Sequence, residues 1–279
     1  MKYDPRITPA RPDLAASHLK GVVPADRFVD DQMLTVAAPV LDLISTPDRD
    51  AGLATQLLMG EQFLALDENH ETGLAWGQNQ TDGYVGYVSL AGLEADCPDA
   101  DHWVVANSTH LYPEPNIKTR PLEALSFLCR VKVTGEDGAF FEVSAGGYCP
   151  KRHLGPIAPI ADDYVAIAER FLGVPYLWGG RSFDGIDCSG LVQLALAATG
   201  ISAPRDTDMQ FLELGQPVEN TAQRGDLVFW KGHIGIMQSE TILLHANANF
   251  MMVTSEPLAV AEARIAQTDG PITGIRRLA

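Results

Sequence analysis

Phe183-Asp184-Gly185-Ile186-Asp187-Cys188-Ser189-Gly190-Leu191-Val192 sets a cysteine between an acidic residue and a helix-forming apolar run. Asp187 reads as an N-cap, because its carboxylate can accept from an amide two or three residues further on. Leu191, Val192, Leu194, Ala195 and Ala198 supply the apolar positions of that helix, and Gly200 reads as its stop. Cys188 then lies in the first turn, where unpaired N–H groups and the positive end of the macrodipole favour thiolate over thiol. The same N–H groups can receive the oxyanion formed when a carbonyl is attacked, so the placement suits a nucleophile.

Such a nucleophile needs a base, and the following text offers two histidines in strand-like runs. In Gly232-His233-Ile234-Gly235-Ile236-Met237 the alternation puts His233, Gly235 and Met237 on one face, and small Gly235 leaves room beside the imidazole. Ile242-Leu243-Leu244-His245-Ala246 supplies a second ring. On an adjacent strand, His245 can accept the other ring N–H of His233 and fix its tautomer. A lone histidine is more often structural, and a lone acidic residue before a helix is often only a cap. The set of cysteine and two histidines carries the catalytic reading. Cys97, Cys129 and Cys149 read as small buried apolar residues in the reduced state. The four cysteines lack C-x-x-C spacing, so neither a disulfide scaffold nor a zinc site is indicated, and no metal or other cofactor is expected.

Around this centre the grammar is α+β. Pro156-Ile157-Ala158-Pro159 marks a linker, since each proline pushes its predecessor out of the helical region. Asp162 precedes a helical run from Tyr164 to Leu172, which Gly173 can end, and strand-like runs follow at Asp226–Trp230, His233–Met237, Ile242–Ala246 and Ile272–Leu278. Upstream, residues 1–30 read as an arm packing onto the rest, with a short helix around Leu14–Leu19. Short alternations at 40–44, 62–66, 73–76 and 83–88 place a small all-β barrel in residues 31–97. Residues 98–158 repeat the theme as a second copy, and residues 159–279 form the α+β domain.

A net charge of −16 disfavours nucleic acid and anionic lipid surfaces as partners, and points to small soluble fragments as substrate. Charges and prolines stand where a signal peptide needs apolar residues, and no run reaches the ~18 apolar residues of a membrane span. The expectation is a soluble cytoplasmic protein without a membrane partner; the oligomeric state is not legible.

Pro175-Tyr176-Leu177-Trp178-Gly179-Gly180, the cysteine stretch, Pro204-Arg205-Asp206-Thr207-Asp208-Met209-Gln210, Gly225-Asp226-Leu227-Val228-Phe229-Trp230 and Gly232-His233-Ile234-Gly235-Ile236 together resemble the NlpC-type, papain-like cysteine peptidases. The segments at 31–97 and 98–158 resemble bacterial SH3-like domains. The resemblance implies Cys188 as nucleophile, His233 as base and His245 as orienting residue. It further implies a pocket for a free N-terminal L-alanine built from Tyr84, Tyr176, Asp187, Ser189 and Thr207, with Arg205 and Asp206 shaping the loop. The activity it implies is hydrolysis of the γ-D-glutamyl–diaminopimelate bond of murein peptides in recycling. An amidase or acyltransferase of the same superfamily, and a non-catalytic cell-wall binding protein, are the alternatives. Trp230 and Lys231 run almost directly into His233, so the loop joining those strands is unusually tight.

Overall fold

The computed structural model describes residues 3–48, 50–219 and 221–278; Met1 and Lys2, at the head of the expected arm, and Ala279 lie outside the described residues. The chain divides into two compact units, Met1–Ile157 and Ala158–Ala279.

The first unit is built on a seven-stranded antiparallel sheet, in the spatial order Leu93–Glu94, Gln32–Val36, Gln62–Asn69, Leu74–Asn79, Val85–Ser89, Val40–Ile44, Leu53–Leu58. Leu34 and Val36 near one end of that order share a core with Leu41, Leu43 and Leu57 at the other, so the sheet curls onto itself. Two local features permit the bend. The ladder slips by a bulge between Ala65 and Asp67, and opposite Ala65 stands Gly77, where a Cβ would fall 2.0 Å from the Leu64 carbonyl oxygen.

The arm is not helical at Leu14–Leu19. Leu14–Ala16 is a strand, antiparallel to Ala10–Arg11 and parallel to Arg27–Val29, and only Ser17–Leu19 makes a 3-10 turn. Leu14 and Ala16 pack with Leu66, Trp76 and Val85, whereas Ala15 packs with Ala10 and Val23. Neighbours facing opposite ways need a period of two, which a helix cannot present.

Residues 102–156 form three small antiparallel sheets. His102–Val104 lies between Arg130–Val131 and Leu154–Pro156, Ser108–Leu111 pairs with Glu123–Ser126, and Val133–Asp137, Phe140–Val143 and Gly147–Pro150 make a meander.

The second unit has a six-stranded antiparallel sheet in the order Gln216–Pro217, Gly274–Arg277, Leu227–Trp230, His233–Met237, Ile242–Asn247, Met252–Pro257. Its helices are α1 (Tyr164–Glu169), α2 (Cys188–Ala197), α3 (Thr207–Glu213) and α4 (Leu258–Ile265). Helix α4 packs Ala261 and Ile265 against Val228, Trp230, Met237 and Leu243. Alternation turns Ile234, Ile236 and Leu244 to the opposite face, where α2 crosses the strands His233–Met237 and Ile242–Asn247.

Three expectations need correction. The cap of α1 is Asp163, whose Oδ1 accepts from Val165 N at 2.9 Å, rather than Asp162. The helix also stops at Glu169, ahead of Gly173 with φ +85°. Helices do not simply precede the sheet, because α4 falls between its last two strands; Leu258, Ala261 and Ile265, three or four residues apart, give it the stripe that covers the second face.

Candidate active site

Helix α2 begins where the spacing requires. Asp187 Oδ1 accepts from Gly190 N at 2.7 Å, which satisfies one amide of the first turn. The same carboxylate accepts from Gly179 N (2.9 Å), Ser189 Oγ (3.3 Å) and both terminal nitrogens of Arg205 (3.0 and 2.6 Å). Arg205, 1% exposed, also donates to Ser189 Oγ at 2.8 Å. Gly190 lets the Tyr176–Gly180 loop close over the helix, since a Cβ there would lie 2.5 Å from Gly180 O. A glycine in this motif is thus explained by backbone approach.

Cys188 is the first residue of α2 and 7% exposed. Its Sγ accepts a hydrogen bond from Ile234 N–H and lies 3.9 Å from Thr207 Oγ1 at the start of α3. The sulfur therefore rests against the peptide that joins His233 to Ile234. Trp230 pairs with His233 across the two-residue turn Lys231-Gly232, Gly232 taking φ +75°, so the tight loop read from the sequence is a hairpin. His233 opens its strand at that turn, half-buried.

Antiparallel pairing of Ile236 with Leu244 brings the second histidine alongside. His233 Nε2 stands 2.8 Å from His245 Nδ1, with the rings inclined at 63°. Gly235 makes room for Leu243 and His245: a Cβ there would meet Leu243 Cδ1 at 2.8 Å and His245 Cβ at 3.1 Å.

Sequence reasoning missed the next link. His245 Nε2 is 2.9 Å from Glu256 Oε1, and Arg264 on α4 donates to the same oxygen. The available signal was an acidic residue within Met252-Val253-Thr254-Ser255-Glu256, a β-compatible run directly after the His245 strand.

Of the residues expected around the cysteine, Asp187, Ser189, Arg205 and Thr207 are buried and in the contacts given above. Asp206 is half-buried at the N-cap of α3. Tyr176 is half-buried, and its phenol is pushed up by burial and by the nearby Cys188 and Asp187. Tyr84 belongs to the first unit, 8% exposed in the core cluster with Leu34, Leu43 and Val88. Cys97 departs from the expected burial; it is partly exposed, with Sγ 3.5 Å from Glu94 Oε2.

Burial pushes the Cys188 thiol up to about 11, and Asp187 adds to the effect; Ile234 N–H, Thr207 and Arg205 pull the other way. Burial thus opposes the thiolate that the helix start favours. Burial pulls His233 down to about 4, with Asp269 opposing and Arg264 reinforcing. His245 is pulled to about 3 by burial, then by His233 and Arg264. Taken one group at a time, burial favours the uncharged thiol and the uncharged imidazoles. Moving a proton from sulfur to ring creates two opposite charges together, whose attraction offsets part of the cost each would bear alone.

The depressed histidines also govern acid stability. An unfolded chain protonates its histidines near pH ~6.5, while these rings stay neutral in the fold down to about 4 and about 3. The unfolded state then binds more protons as the pH falls through that window. Stability is full above the unfolded value and is lost on acidification, by at most ~1.4 kcal/mol per pH unit per ring. The urea midpoint is expected to fall between pH 7 and pH 5; an unchanged midpoint would refute the burial of neutral rings.

Two family models match the chain: the NlpC/P60 family over residues 173–264, and the bacterial dipeptidyl-peptidase SH3 domain over residues 43–93. Dipeptidyl-peptidase 6 of Lysinibacillus sphaericus is 36% identical over 240 residues, 76% of this chain and 86% of that protein. The chain belongs to the NlpC/P60 family of cysteine peptidases. A protein of Bacillus subtilis named gamma-D-glutamyl-L-lysine dipeptidyl-peptidase is 29% identical over 252 residues, 80% of this chain and 83% of that one. The crystal structure of an NlpC/P60 family protein from Bacillus cereus shares the fold, with TM-score 0.69 at 20% identity over 88% of this chain and 99% of its own. Within the NlpC/P60 match lie Cys188, His233, His245, Glu256 and Arg264 alike; Tyr84 lies within the SH3 match.

Proposed function

We propose that this NlpC/P60 peptidase cleaves the γ-D-glutamyl–L-diamino acid bond, diaminopimelate being the diamino acid, of short cell-wall peptides that carry a free N-terminal L-alanine. The place of the reaction is the recycling of murein fragments in the cytoplasm, on soluble peptides. The observation that carries this reading is the similarity, over 80% of the chain, to a protein named for the γ-D-glutamyl-L-lysine bond. In this reading residues 31–97 and 98–158 are a pair of SH3-like modules ahead of the catalytic unit.

Cys188 Sγ attacks the γ-carbonyl carbon of the D-glutamyl residue while its proton passes to His233. The N–H of Cys188, at the head of α2, meets the oxyanion of the tetrahedral intermediate. The C–N bond then breaks, the ring returns its proton to the leaving amine, and a γ-glutamyl thioester remains. Water attacks the thioester carbonyl, giving its proton to His233, and the ring reprotonates the departing sulfur. Tyr176, Asp187, Ser189 and Thr207, with Arg205 and Asp206 shaping the loop, hold the terminal ammonium. Asp187 is the anionic group beside the sulfur in this arrangement, although its carboxylate already accepts from five donors.

Mass spectrometry of L-Ala-γ-D-Glu-diaminopimelate after incubation tests the reading. The free peptide is expected to yield L-Ala-D-Glu and free diaminopimelate, and its N-acetylated form to react at least ~10²-fold more slowly, the loss of an ion paired in a buried site. Equal cutting of both forms would remove recognition of the amine. An untouched tripeptide beside a hydrolysed simple amide or ester would favour the amidase or acyltransferase alternative.

A further inference from the structure

We propose that Glu256, held by Arg264, is a positioning residue that sets the tautomer of both histidines and so leaves the lone pair of His233 on the nitrogen facing Cys188. The proposal rests on the reading above, in which His233 takes the proton of Cys188.

The argument is one of donor counting. A neutral imidazole carries a single N–H, so its two nitrogens must play opposite roles. Burial, with Arg264 facing both rings, keeps His233 and His245 in that neutral form, and Asp269 is the acidic group that opposes it at His233. Neither ring can therefore donate from both sides, and the direction of the whole chain is decided at whichever end is fixed.

Glu256 fixes it. The oxygen that faces His245 Nε2 at 2.9 Å is Oε1, which already accepts from the Arg264 guanidinium; an oxygen that accepts there makes the imidazole nitrogen the donor. His245 Nδ1 must then accept, and at 2.8 Å the only donor it meets in this pairing is His233 Nε2–H. The remaining nitrogen, His233 Nδ1, is left bare. It is also the ring nitrogen nearer its own backbone, the side on which Sγ accepts from Ile234 N–H.

Arg264 is what makes Glu256 dependable in this role. It donates to the same Oε1, while His245 is fully buried and Glu256 only 8% exposed, so the carboxylate cannot turn to water. Without the carboxylate, the guanidinium would face His245 Nε2 and invite the opposite polarity. His233 would then carry its proton on Nδ1, the nitrogen that has to accept one.

Histidine-labelled 15N spectra of the full chain at pH 7 test the tautomers directly, with the His233 signals assigned by their loss in His233→Ala. Nε2–H with bare Nδ1 on both rings is expected. Nδ1–H on His233 would overturn the proposal. Its consequence is tested by alkylation of Cys188 with iodoacetamide at pH 7, which needs no peptide substrate. Glu256→Ala is expected to slow the reaction about 10- to 100-fold, and Glu256→Gln, which keeps an oxygen acceptor, to restore most of the rate. The midpoint of thermal unfolding is followed in each variant, and Arg264→Met beside Glu256→Gln keeps a folded pair if Glu256→Ala alone does not fold. Wild-type alkylation in Glu256→Ala together with a large loss in His233→Ala would overturn the positioning role alone. Wild-type alkylation in His233→Ala would overturn the base assignment and this proposal with it.

Discussion

Asp187→Ala is expected to destabilise the second unit by about 3–5 kcal/mol, the cost of leaving a buried charge without its partner. Arg205 is 1% exposed and directs two nitrogens at the Asp187 carboxylate, at 3.0 and 2.6 Å. Loss of the Gly190 cap adds roughly 1 kcal/mol. Urea unfolding of the full chain measures the sum, and a loss below about 1 kcal/mol would show that Arg205 finds another partner. The double variant Asp187→Ala, Arg205→Met should recover much of the loss, because a buried ion pair and an apolar pair are often similar in stability. Asp187→Asn separates structure from chemistry. The amide keeps the cap but removes the negative charge that helps to raise the Cys188 thiol, so alkylation of Cys188 should move to lower pH. A raised KM for the free-amine tripeptide in that variant, with stability retained, would assign Asp187 a second role in holding the ammonium.

The same residue shows what was legible in the sequence and what was not. Its cap was readable because capping depends on neighbours two or three positions away, and the alternation around His233 was readable because a strand has a period of two. The arm was misread because Leu14 to Leu19 carries the composition of a helix, and only its packing partners Trp76 and Val85 on one side and Ala10 and Val23 on the other select the strand. Asp187 as a five-donor hub and Glu256 as the end of the histidine chain were beyond reach for a related reason. Both depend on partners brought from elsewhere in the chain, Arg205 in one case and the register of His245 against Thr254 in the other. Desolvation was likewise out of reach. A helix start argues for a thiolate, but burial of the sulfur is set by the closure of the whole unit and pushes the other way.

His233→Ala is expected to lower kcat roughly 10⁴-fold at pH 7 with little change in KM, at the upper end of what a positioned base contributes. The reason lies in the resting state. A thiol held at about 11 is ionised to only about one part in 10⁴ at pH 7, so nearly all of the nucleophile must be made at the moment of attack. With the ring present, activity should hold as the pH falls toward about 4, since His233 stays neutral and able to accept above that value. Without it, hydroxide is the only route to the thiolate, and the rate should climb about tenfold per pH unit up to the thiol's own value. Hydrolysis rates at pH 6 to 10 for both proteins make the comparison. A flat profile in His233→Ala would mean that the sulfur ionises without the ring. In that event the macrodipole of α2 would be the stronger influence, and the neutral thiol beside a neutral imidazole would not be the resting state.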